Sequence, residues 1–231
     1  MKERYYATQI QSKCLEWGAT HIGFAELADC LPKEFADLPR GISIVYHLSE
    51  RIIDELKTGP TRAYAYHYYA VNRLLDDVAL HTTKLLQQWG YQGFPIPTSQ
   101  TVNLKTHEGH LSHKMVATRA GLGWIGKNAL LITPEYGPRV RLTTILTDAP
   151  LRTGKPINES QCGECLRCSE ACPGGAILGN MWKLASQRAD LLEVEKCADI
   201  IERNKAEMGA PICGICVRVC PKGMKGDSEK A

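Results

Sequence analysis

Residues 162–173 read Cys162-Gly-Glu-Cys165-Leu-Arg-Cys168-Ser-Glu-Ala-Cys172-Pro173, and residues 213–221 read Cys213-Gly-Ile-Cys216-Val-Arg-Val-Cys220-Pro221. Cys197 precedes the second run by fifteen intervening residues. A cubane iron–sulfur cluster needs four thiolates at its iron corners. Two-residue gaps let three cysteines wrap one face of the cube from a single loop, with backbone N–H groups turned toward the sulfides. The fourth thiolate must come from elsewhere, and in two-cluster ferredoxins the cysteine before proline serves the other cluster. That rule joins Cys162, Cys165 and Cys168 to Cys220, and joins Cys213 and Cys216 to Cys172, with Cys197 completing the second set. Eight cysteines then match two [4Fe–4S] clusters with none left over in this region.

Structural zinc in a Cys₄ site is the competing reading of paired Cys-x2-Cys motifs. A Cys-x2-Cys-x2-Cys-x3-Cys-Pro run with a second, partial copy is far more specific for clusters. A disulfide scaffold suits a small secreted chain. Here the N-terminus MKERYYATQIQSKCLEWGA has charges and no apolar signal core. No stretch approaches the roughly 18 apolar residues of a membrane span. These features lead us to expect a cytoplasmic protein. Ten cysteines occur in all, and only Cys14 and Cys30 lie outside the last third, where we expect inert buried thiols. A net charge of +3 is too small to argue for nucleic acid, and 44% hydrophobic residues suffice for a real core.

Working outward from the cysteines, the chain divides by composition. Amphipathic spacing predicts helices over about 4–18 and over about 63–89, where Val71, Leu74, Leu75, Val78, Leu85 and Trp89 form a core stripe. A short helix is expected over 113–120, ended by Gly121. Strands are expected over 20–25, 42–48, 94–97, 129–133 and 140–147. These elements describe a mixed α/β (α+β) domain over residues 1–150. A small ferredoxin-type domain of short helices follows over 151–231, with the boundary near Leu151–Pro156.

One upstream segment has its own signal: Arg119-Ala-Gly-Leu-Gly-Trp-Ile-Gly-Lys-Asn128. Gly121, Gly123 and Gly126 permit close backbone approach to a flat ligand. Trp124 offers a stacking surface, and Arg119, Lys127 and Asn128 offer hydrogen-bond donors. The spacing is not that of a dinucleotide fingerprint. A glycine-rich turn packed in the core is the alternative.

The run RAGLGWIGKNALLI, then ILTD at 145–148, then CGECLRCSEACPGGAI, Cys197 and CGICVRVCP resembles the epoxyqueuosine reductase family over roughly residues 105–222. The resemblance implies a nitroreductase-like domain binding cobalamin beside two [4Fe–4S] clusters, similar in design to the reductive dehalogenases. It makes residues 119–128 candidates for cofactor contact. It implies electron delivery to cobalt, chemistry that clusters at the low end of their range of about −700 to +450 mV can support. It also implies a low-potential donor such as ferredoxin or flavodoxin.

The chain departs from the family in two places. It ends eleven residues after Cys220, without the C-terminal helical repeats, and carries no basic stripe. The expected substrate is therefore a small molecule or a corrinoid protein rather than transfer RNA. Counting back from Gly121 to the place of the family's catalytic aspartate reaches His107, in Thr106-His-Glu-Gly-His-Leu-Ser-His113. His107, Glu108 and His110 are thus candidate proton donors, His107 first because its ordinary pKa lies near neutrality. A metal site at His107, His110 and His113, and plain surface or core histidines, are the other readings. Two functional classes follow: a cobalamin-dependent iron–sulfur reductase, or an electron-transfer protein that serves another corrinoid protein. An iron–sulfur protein whose α/β domain serves only for docking is a third.

Overall fold

A computed structural model describes residues 2–103 and 105–224. Its elements in chain order are α1 (Lys2–Glu16), β1 (His21–Glu26), β2 (Arg40–His47), α2 (Glu50–Asp54), α3 (Arg62–Gln88), β3 (Gly93–Ile96), α4 (His113–Arg119), β4 (Trp124–Ile125), β5 (Leu131–Ile132), β6 (Val140–Thr147), α5 (Arg167–Glu170), α6 (Val194–Met208) and α7 (Ile215–Arg218). The expected mixed α/β class holds. The chain forms two compact units, each assembled from separate stretches. The first comprises residues 1–47, 71–122 and 141–157, and the second 48–70, 123–140 and 158–231. Residues 48–70 and 123–140 group with 158–231 rather than with the rest of 1–150.

The first unit is built on a sheet of order β1-β2-β6-β3. β1 pairs antiparallel with β2, placing Phe24 opposite Ile42. β3 pairs antiparallel with β6, placing Phe94 opposite Leu146. Ile42, Ile44, Val45, Ile145 and Leu146 are fully buried, as β-branched and aliphatic residues of a covered sheet should be. Helix α4 packs on β1 and β2, and its Val116 and Ala120 join Ala25, Leu27, Phe35, Leu38, Ile96 and Leu146 in one core cluster. Ser112 caps α4, its hydroxyl accepting from the Met115 N–H at 3.3 Å.

Most expected elements occur within a residue or two of their sequence positions, which is the ordinary uncertainty of element ends. The strand expected over 129–133 is only Leu131–Ile132, because Ala129 adopts a left-handed φ of 57° that no strand tolerates. Cys14 is buried as expected: its thiol lies 3.2 Å from the Thr82 hydroxyl, and burial pushes it up to about 11. Cys30 is exposed, against expectation, with its thiol donating to the Leu27 carbonyl at 3.4 Å.

His113 is a tertiary contact rather than a metal-site candidate. Its Nε2 lies 3.1 Å from the Pro97 carbonyl, which can only accept, so Nε2 carries the proton. Its Nδ1 then accepts from the Thr144 hydroxyl at 2.9 Å. Burial pushes the imidazole down to about 4 from 6.5. The unfolded chain takes up this proton below pH 6.5 and the folded chain only near 4. The contribution of neutral His113 to stability is therefore present above pH 6.5 and is lost as the pH falls toward 4. The urea midpoint should fall across that interval, and His113→Gln should flatten the slope; a slope that survives the substitution assigns the proton to another group.

Candidate iron–sulfur site

The second unit carries all eight clustered cysteines. Cys168 sits on α5, Cys216 on α7 and Cys197 on α6, and α5 packs against α7, which brings the two motifs together. Cys162, Cys165, Cys168 and Cys220 line one cavity, together with Lys127, Asn128, Ile132, Pro221 and Lys222. Electrostatic neighbours give the same partition. Cys168 faces Cys162 and Cys165, and Cys220 faces Cys162 and Cys168. Cys197 faces Cys172 and Cys213, and Cys216 faces Cys213, Cys197 and Cys172 as well as Cys168. The cysteine before each proline thus reaches the other motif's set. The Ala176 N–H points at the Cys172 sulfur at 3.3 Å.

Burial is the largest cause pushing the Cys168, Cys197, Cys213, Cys216 and Cys220 thiols up, Cys220 to about 11. Neighbouring thiols push the same way. Such a set is poorly disposed to ionise by itself and is relieved when metal takes the place of the protons. Among the described residues no three His, Cys, Asp or Glu side chains converge as around one metal ion. A zinc ion needs its sulfurs within about 2.3 Å of a single point. Four thiolates round a shared cavity can hold a polynuclear cluster.

The loop carrying Cys220 is held by a residue that sequence reading missed. Arg139 is fully buried and donates to the carbonyls of Lys222 at 2.9 Å, Cys220 at 3.0 Å and Arg218 at 3.2 Å. Its Nε pairs with the Glu50 carboxylate at 3.1 Å. Gly137 and Gly223 pass so closely that a Cβ on Gly223 would overlap the Tyr136–Gly137 backbone. A lone arginine after Pro138 carries no motif, so only the fold reveals this clamp.

The segment 119–128 is committed to its own chain. In the first unit Arg119 makes a two-pronged pair with Asp29, at 2.7 and 2.8 Å, and the Asp29 carboxyl is held below its usual range by it. A Cβ on Gly121 would lie 2.6 Å from the Lys155 carbonyl oxygen. In the second unit a Cβ on Gly123 would overlap the Ile132 carbonyl, and one on Gly126 would lie 2.6 Å from the Ile132 side chain. The close approach these glycines permit is of chain to chain. Trp124 is 4% exposed, so its ring is packing rather than an open stacking face. Lys127 and Asn128 line the cavity of Cys162, Cys165, Cys168 and Cys220. The Asn128 amide donates to the Cys216 carbonyl at 3.3 Å, and its oxygen accepts from the Leu130 N–H.

The proposed proton donors lie in a loop of the first unit. His107 is exposed, with a left-handed φ of 54°. Glu108 is exposed, bridges Asn103 through its backbone and accepts from the Thr106 hydroxyl at 2.7 Å. His110 is half-buried, edge-on to Phe35 and Phe94.

Residues 161–223 match the family described as the 4Fe-4S double cluster binding domain. The Bacillus cereus epoxyqueuosine reductase is 39% identical over 116 residues, 49% of this chain and 30% of that protein. The Lactococcus garvieae enzyme is 36% identical over 157 residues, 67% of this chain and 41% of that protein. The chain is a relative of the epoxyqueuosine reductases. Its match spans less than half the length of these curated relatives. The fold of an epoxyqueuosine reductase solved with an epoxyqueuosine-modified tRNA-Tyr stem loop overlays 95% of this chain and 65% of that chain, with TM-score 0.60 and 21% identity. A reductive dehalogenase, whose structure suggests a mechanism for B12-dependent dehalogenation, overlays 97% of this chain and 32% of that one, with TM-score 0.75 and 18% identity. At these identities the two overlays establish the shared fold.

Removing Arg139 tests the clamp. Arg139→Met leaves three carbonyls and Glu50 without their cation, and breaking one side of a buried pair costs about 3–5 kcal/mol. Glu50 keeps some solvent contact, its side chain being 31% exposed, so the low end is expected. The urea midpoint should fall accordingly, and iron retained after anaerobic reconstitution should fall with it. A variant as stable and as iron-rich as the parent would remove the clamp from the account.

Proposed function

We propose that the chain is an iron–sulfur oxidoreductase that passes single low-potential electrons through two [4Fe–4S] clusters. One is held by Cys162, Cys165, Cys168 and Cys220, and the other by Cys172, Cys197, Cys213 and Cys216. The observation that carries this reading is the cavity ringed by Cys162, Cys165, Cys168 and Cys220, where a cysteine from the second motif closes the first motif's set. The clusters, when bound, supply one-electron transfer at low potential. The chain's own residues supply the rest: eight thiolates in two sets, backbone N–H groups aimed at sulfur, and a buried Arg139 that positions Cys220. Cys168 neighbours Cys216 of the other set, which favours exchange of electrons between the sets.

The fold shared with a B12-dependent dehalogenase supports a cobalamin-dependent reductase as the whole activity, for which we propose a small donor such as ferredoxin or flavodoxin. Most of the residues expected to cradle the corrin are engaged within the chain. Arg119 pairs with Asp29, Gly121 and Gly123 are closed against backbone, Gly126 against the Ile132 side chain, and Trp124 is buried. We therefore derive no step through cobalamin. The same commitment favours a second reading, in which the chain delivers electrons to a separate corrinoid protein. His107, His110 and Glu108 stand as proton donors only under the first reading. Among the described residues no helix is long and apolar enough to cross a membrane.

Anaerobic reconstitution should yield about eight irons per chain, the content of two cubanes. Cys220→Ala should lose the cluster of Cys162, Cys165 and Cys168 while the other persists, judged by EPR. Loss of only the cluster of Cys213 and Cys216 would break the crossed assignment. Titration with cobalamin separates the two functional readings: saturable spectral change in the full chain supports the reductase, and none supports the electron carrier. The epoxyqueuosine-modified stem loop belongs in the same titration, and its binding would overturn the smaller-substrate reading.

A further inference from the structure

We infer that Lys127 is an electrostatic tuning residue that raises the reduction potential of the cluster held by Cys162, Cys165, Cys168 and Cys220 above that of its neighbour. The inference rests on the cluster assignment above and extends it to a residue with no thiolate. Lys127 is 6% exposed and lines that cavity. Among the described residues its ammonium has no hydrogen-bond or ion-pair partner. Lysine is almost never buried without a counter-charge, because an unpaired buried ammonium is costly. The chemistry facing it supplies one. A cubane core bound by four thiolates is anionic in both oxidation states and gains one further negative charge when it accepts an electron. A fixed cation beside it therefore favours the reduced form, and net charge around the cluster is one of the terms that set its potential.

The two cysteine sets differ in this respect. The cations that face the second set are Arg188, near Cys197, and Arg203, near Cys213, both exposed. Solvent screens them. Arg139 neighbours Cys220 but is compensated by Glu50 and spent on three carbonyls. Lys222 lines the first cavity yet is exposed. Among these, Lys127 combines a residue only 6% exposed with no carboxylate partner among the described residues. A single electron entering the pair from a low-potential reductant consequently resides on the first cluster.

The test is a redox titration of the reconstituted full chain by EPR, with Cys220→Ala supplying the spectrum of the second cluster alone. Lys127→Met should lower the reduced-to-oxidised ratio of the first cluster at fixed poise by at least about tenfold, equivalent to ~59 mV for one electron. The second cluster should move less than about threefold, Lys127→Arg should restore the parent value, and Lys222→Met should have the smaller effect expected of a screened charge. Equal shifts in both clusters, or a first cluster that moves less than about threefold, overturn the inference. If Lys127→Met and Lys127→Gln both fail to hold iron, recovery of iron in Lys127→Arg supports the charge role, and failure to recover it assigns Lys127 to packing. A parent chain without two clusters would sink the cluster assignment itself, a result separate from any shift in potential.

Discussion

The return of Cys220 to the first cysteine motif is the contact on which the second unit depends. It closes a ring of four sulfurs from two segments separated by more than forty residues of chain. Short-range geometry delivers three of them, because two-residue gaps bend one loop around a cavity. The fourth requires that a distant loop be held in place before any metal arrives. Arg139 does this by giving three carbonyls of the Arg218–Lys222 segment a common donor group. A guanidinium suits the task because its N–H groups form a rigid fork, whereas an ammonium presents a point charge. The buried charge is tolerated because Glu50 neutralises it and the carbonyls satisfy it.

Charge organises the rest of the site. Four thiols close together in a desolvated place resist ionisation, which is why Cys220 is pushed up to about 11 and Cys216 further. Metal binding replaces such protons, and where thiols are the ligands metal assembly and folding are coupled. The surrounding cations differ in solvent contact: an exposed arginine or lysine is strongly screened, and Lys127, 6% exposed, is screened less. Asn128 links the two sets by lining one cavity and holding the carbonyl of a cysteine in the other.

The glycine-rich segment shows how one composition serves two purposes. Three glycines in six residues allow close approach, and the sequence does not say to what. Here the approaching partners are the Lys155 carbonyl, the Ile132 carbonyl and the Ile132 side chain. The arginine that opens the segment is likewise turned to an internal partner, Asp29. These commitments separate the well-supported iron–sulfur chemistry from the cofactor that would receive its electrons.

The sequence by itself determined the clustering of the cysteines into two motifs, the mixed α/β class and most element positions. Ligand spacing and hydrophobic period are local quantities, and both are written in short runs such as 162–173 and 140–147. Only the tertiary structure decided where Arg139, Lys127, Cys30 and the three glycines sit and what they meet. A lone arginine has no period, a lysine's burial depends on what folds over it, and a glycine records that something is near without naming it. Those roles are set by contacts between segments far apart in the chain, and such contacts leave no pattern in any one of them.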